Sequence, residues 1–95
     1  NQSGNYTLTV TDFEVGYTGA GGQTFTLPNA TTNLNRVYII KNRGGGALTV
    51  ARSGTDEIWS TAGVTSISLL VGEGVVLVSD GAWQMVAMVS GIITP

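Results

Sequence analysis

Two runs of this chain are apolar at four consecutive positions, Val37-Tyr38-Ile39-Ile40 and Val75-Val76-Leu77-Val78, and Leu69-Leu70-Val71 adds a third run. Side chains alternate between the two faces of a strand, so such runs present apolar groups on both faces. Where helices are present they cover the second face. Here no stretch of ten or more residues carries apolar groups at a 3.6-residue period, so no substantial helix is predicted. Either loops folded over these strands or another subunit must then cover them. The sequence favours another subunit, because a 95-residue chain has a small core.

The rest of the chain reads as β structure throughout. Residues 1–5 are polar and read as a lead-in or linker. Tyr6-Thr7-Leu8-Thr9-Val10 alternates, placing Tyr6, Leu8 and Val10 on one face. Phe13-Glu14-Val15-Gly16-Tyr17 alternates again. Thr24-Phe25-Thr26-Leu27-Pro28 is a short strand closed by proline, which has no N–H to donate. Strands follow at 36–41, 47–52, near Ile58 and Trp59, at 65–71, 75–79 and 83–89. The intervening Gly19-Ala20-Gly21-Gly22, Gly44-Gly45-Gly46, Gly72-Glu73-Gly74 and Asp80-Gly81 segments are predicted hairpin connections. Residues 90–95 form an apolar tail. This arrangement predicts an all-β domain over 6–89, a compact antiparallel β-sandwich or barrel of eight or nine short strands. No fixed internal repeat is visible. The chain opens on Asn1 rather than Met and is expected to be a fragment or a processed product.

Composition narrows the chemistry. There is no cysteine and no histidine, which removes disulfides, thiolate nucleophiles and imidazole bases or ligands. Charged residues are 11% of the chain, against about 25% in an average domain. The four cations, Arg36, Lys41, Arg43 and Arg52, are scattered and the net charge is −2, so neither nucleic acid nor an anionic membrane is an expected partner. No apolar run approaches the ~20 residues of a membrane-spanning helix.

Asp12 and Glu14, two apart, are candidates for a carboxylate pair, and Asp56-Glu57 is a weaker one. All four read better as solvated charges at turns and edges. Without histidine no serine or threonine has an imidazole activator, and no G-x-S-x-G elbow is present. The glycine clusters lack the Gly-Lys-Ser/Thr of a phosphate loop, and no calcium-loop pattern is complete. No catalytic residue, cofactor or metal site is predicted. The expected oligomer interface is Ile39, Ile40, Leu70, Val75, Val76, Leu77, Ile92 and Ile93. Trp59 and Tyr17 are the candidates for a sugar platform, with core or interface packing the plainer role for aromatics.

Several segments together resemble a module found in tailed-phage virion proteins. They are Thr26-Leu27-Pro28, then Val37-Tyr38-Ile39-Ile40-Lys41-Asn42, then Leu48-Thr49-Val50, then Leu77-Val78-Ser79-Asp80-Gly81-Ala82-Trp83. The resemblance spans roughly residues 6–89 and is to the small β-domains of tail fibres, tail spikes, head fibres and capsid decoration proteins. It implies an extracellular virion part, a trimer, without catalysis in this domain. Its partners would be other copies and other virion proteins. The alternative is the adhesive tip of a fibre, which binds a host-surface glycan or receptor.

Overall fold

The computed structural model describes residues 1–59 and 63–89. Ten strands are present among them: β1 (Tyr6–Thr7), β2 (Glu14–Tyr17), β3 (Thr24–Thr26), β4 (Val37–Asn42), β5 (Leu48–Ala51), β6 (Ile58–Trp59), β7 (Gly63–Val64), β8 (Ser66–Leu69), β9 (Gly74–Ser79) and β10 (Trp83–Val89). They form a four-stranded sheet, β1-β3-β5-β8, and a six-stranded sheet, β2-β4-β9-β10-β6-β7. The all-β expectation is met in two sheets, with ten short strands where eight or nine are expected. No helix occurs among the described residues.

The antiparallel expectation is corrected. The pairings β1–β3, β3–β5, β2–β4 and β6–β10 are parallel, and the others are antiparallel. The cause lies in the glycine turns. Up to β5, successive strands alternate between the two sheets, so the chain coils instead of doubling back. Gly19–Gly22 and Gly44–Gly46 are therefore corners that cross from one sheet to the other, not hairpin loops. Gly72-Glu73-Gly74 also crosses, since β8 pairs with β5 while β9 pairs with β4 and β10. Only Asp80-Gly81 closes a hairpin among these four. It joins β9 to β10, with Gly81 at φ 105 and the Asp80 amide donating to Ala82 O at 3.0 Å.

Coiling explains why no repeat shows in the sequence. Val15 pairs with Ile40 and Phe25 with Val50, both 25 residues apart, but Tyr6 pairs with Phe25 only 19 residues on. The two glycine corners stack on each other. The Gly45 amide donates to Gly19 O at 2.9 Å, and a Cβ on Gly44 would collide with that same carbonyl. Residues 1–5, expected as a lead-in, join the fold. Gln2 makes a parallel bridge to Tyr17, and its amide donates to Gly16 O at 2.8 Å.

The core lies between the sheets. Phe25 of β3 meets Tyr6 and Tyr17 edge-on, with ring centroids 5.9 and 5.7 Å away. Trp83 packs against Tyr38 at 5.4 Å, and its indole N–H donates to Pro28 O at 3.1 Å. Each such fully buried side chain contributes about 1.5–3 kcal/mol. Among the described residues the two buried polar side chains, Asn42 and Ser79, are bonded. The Asn42 amide donates to Gly46 O and Leu69 O and accepts from the Gly44 amide, each at 2.9 Å. The Ser79 hydroxyl donates to Ala30 O at 2.7 Å.

Candidate functional site

The registers determine which side chains face outward. In β4, Tyr38, Ile40 and Asn42 are buried, while Val37, Ile39 and Lys41 lie on the opposite face. Ile39 is paired with Glu14 and Val76, and Val37 with Val78. Across β10, Gln84 pairs with Val78 and Trp59, and Ala87 with Val76. The outer face of the six-stranded sheet therefore carries Val37, Ile39, Val76 and Val78 in its middle, flanked by Lys41 and Gln84, with Trp59 toward one edge and Glu14 toward the other. The four-stranded sheet differs. Its outward positions are Thr7, Thr26, Ala51 and Ser66 in one row, and Thr24, Thr49 and Ser68 in the next.

Several predicted interface residues are corrected by this geometry. Ile40, Val75 and Leu77 are buried inside the single chain, packed against the other sheet, so no partner is needed to cover them. Ile39 and Val76 lie half-exposed on the outer face. Leu70 is 60% exposed, in the crossing between β8 and β9. Ile92 and Ile93 lie outside the described residues. Of the two aromatic candidates, Tyr17 is corrected to a core residue with no exposed surface, and its hydroxyl accepts from the Gly21 amide at 2.7 Å and donates to Gln23. Trp59 is 37% exposed and stands on the outer face.

The residues that sequence reasoning missed lie at one corner of the coil. A groove of about 460 Å³ runs between residues 10–13, which lead into β2, and 34–37, which lead into β4. Its walls carry Val10, Phe13 and Leu34, exposed at 56, 60 and 59%. The alternation over residues 13–17 predicts Phe13 within a strand. It instead precedes β2, where its carbonyl accepts from the Ile39 amide at 2.8 Å. The parallel pairing of β2 with β4 is what brings these two distant segments side by side.

Both walls are held firmly. Asp12 Oδ2 accepts from the Tyr6 hydroxyl at 2.7 Å and from the Thr9 amide at 2.8 Å. The Tyr38 hydroxyl donates to Thr9 O at 2.7 Å, and Arg36 Nη1 donates to Val10 O at 2.6 Å. On the other wall, Asn35 adopts φ 65, a left-handed conformation that asparagine tolerates, and its amide donates to Ser79 O at 2.9 Å. Partial burial pushes the Asp12 carboxyl up, but the hydrogen bonds from Tyr6 and Thr9 outweigh it and hold the group below its ordinary value. The same bond to Asp12, with burial, raises the Tyr6 phenol. Burial also raises Tyr38.

Four of the six carboxylates serve the backbone. Asp12, Asp56, Glu73 and Asp80 accept from the amides of Thr9, Ala30, Leu70 and Ala82 respectively. Asp12 and Glu14 do not share a strand face, because β2 begins only at Glu14. No group of three or more Asp or Glu stands close enough to hold a metal ion among the described residues. No helix among them is long and apolar enough to cross a membrane. No protein family, curated protein or solved structure matches the chain.

Proposed function

We propose that this chain is a non-catalytic structural module of the tailed-phage virion type, a fibre, spike or decoration domain that acts by assembling with further copies of itself. The observation that carries the reading is the aliphatic outer face of the six-stranded sheet, which the chain's own second sheet does not cover. Sandwich sheets exposed to water alternate apolar-in and polar-out, as the Ser/Thr face of the other sheet does. An aliphatic outer face is the composition of a surface that meets protein. The resemblance described above supports a trimeric assembly that is part of the extracellular virion. Four of the six carboxylates are tied to backbone amides, which fits a structural role.

Light scattering over a hundredfold dilution tests this reading. A persistent trimer is the expected result, and a monomer at every concentration would sink it. The fibre-tip reading is favoured by one observation, the exposure of Trp59. Its test is adsorption to host cells or a glycan array, where Trp59→Ala should abolish binding. Retained binding by that variant removes it.

A further inference from the structure

The open edges of the two sheets are not alike. β1 and β7 end their sheets with two residues each. The edge of β2 is taken by the start of the chain: Gln2 bridges Tyr17, and its carbonyl accepts from the Thr18 amide at 3.0 Å. Among the described residues β8 is the longest open edge, four residues paired only with β5. Its backbone groups divide between its two sides. The Arg52 amide donates to Thr65 O at 3.1 Å, whereas Thr49 and Ala51 bond on the β3 side, to Gln23 O and from the Leu27 amide. Thr65, Ile67 and Leu69 therefore turn their backbone groups toward β5, and Ser66 and Ser68 turn theirs outward. Among the described residues these outward N–H and C=O groups have no partner. Proteins blunt such edges with charge or proline, and residues 58–72 contain neither. Val64 and Leu70, on either side of β8, are 40 and 60% exposed.

We propose that β8 is a pairing edge for a second copy of this chain. The two strands run antiparallel, with Ser66 opposite Ser68 of the other copy and Ile67 opposite Ile67. This twofold register pairs every outward N–H and C=O of Ser66 and Ser68 in both copies. It also carries Leu70 of each copy toward Val64 of the other. Many strands could satisfy the amides, but a second copy also brings an exposed apolar group to the matching place. The inference rests on the assembly reading above and adds a contact that the sheet face does not make. One four-residue edge is too short to hold two chains by itself, whereas three edges on a trimer act together. The twofold of an antiparallel pair stands perpendicular to its sheet. Sheets whose outer faces turn to a threefold axis carry that twofold radially, so two trimers stack through three edges into a closed set of six.

The chain has no cysteine, so engineered thiols report the register directly. Ser66→Cys and Ser68→Cys proteins, each otherwise the whole chain, are mixed under mild oxidation and resolved without reductant. Opposed positions lie about 5.5 Å apart between Cα atoms, within reach of a disulfide, whereas like positions lie roughly 9 Å apart, beyond it. The expected product is the mixed 66–68 disulfide, at least about tenfold over either symmetric one, in a species of six copies. Ser66→Lys with Ser68→Lys in one chain sets like charges opposite each other. That variant should weaken the pairing of trimers by about tenfold at an unchanged melting temperature. Symmetric disulfides in excess, or no disulfide in a trimer that light scattering still detects, would overturn the edge and leave the assembly reading standing. A chain that is monomeric throughout overturns both. If the lysine variant does not fold, the disulfide result decides alone.

Discussion

The two sheets of this sandwich share one core but differ on their outer faces. Both bury aromatic and aliphatic groups inward, Phe25, Val50 and Leu69 from one side and Tyr38, Ile40 and Trp83 from the other. Outward, the smaller sheet carries mostly small hydroxyl-bearing residues, while the middle of the larger carries valine and isoleucine beside Lys41 and Gln84. Threonine and valine are nearly the same shape and both favour strands. The difference therefore has little to do with forming the sheet. It concerns what lies beyond it: hydroxyls are satisfied by water, whereas aliphatic groups gain by leaving it.

The contrast can be broken most sharply within β4. Ile40 points into the core and Ile39, one residue away, points outward. Ile40→Asp should unfold the chain, because an unpaired buried charge destabilises by more than about 4–5 kcal/mol, a large part of a domain's total stability. Ile39→Asp should preserve the fold at a loss of about 1 kcal/mol. Urea titration by far-UV circular dichroism reads both, and equal losses would show that the two faces are equally enclosed.

A smaller effect compares the outer faces. Val76→Asp should leave a folded chain that no longer assembles, whereas Thr49→Asp should alter stability by less than about 1 kcal/mol and leave association unchanged. Sedimentation of the two variants side by side checks this. If both associate normally, the aliphatic face is not an interface.

The smallest effect concerns acid. Asp12 is held below its ordinary pKa, so its bonds add stability at neutral pH that is fully present above the unfolded value near 3.8. That contribution is lost as pH falls through the lower folded value. Thermal melts from pH 6 to 2 should show the wild type losing more than Asp12→Asn over the acid end. Parallel curves would mean that the carboxylate does not hold the 9–12 loop.

Much of the fold is legible in the residues. The strand segments at 37–42, 48–51, 74–79 and 83–89 emerge from apolar runs, and Asp80-Gly81 from its turn chemistry. The corners are not. Glycine permits a sharp change of direction but does not say whether the chain returns beside itself or crosses to the facing sheet. As hairpins, Gly19–Gly22 and Gly44–Gly46 predict an antiparallel sandwich without the parallel pairing of β2 with β4. Without that pairing nothing brings Phe13 and Leu34 to one groove. The aromatics show the same limit. Tyr17 and Trp59 both sit near polar turns, yet one is sealed in the core and the other stands on the surface, because face depends on register and register depends on the partner strand.

By itself the sequence determined the local vocabulary: β-strands in place of helices, turns where glycine and Asp-Gly allow them, and strands apolar on both faces. It also excluded chemistry that needs histidine or cysteine, since those side chains are missing. Only the tertiary structure decided which aliphatic residues the chain encloses within itself, Ile40, Val75 and Leu77, and which it leaves facing outward, Ile39 and Val76. The physical reason is that side-chain alternation divides a strand into two faces without labelling them, and the facing sheet assigns one of them to the core.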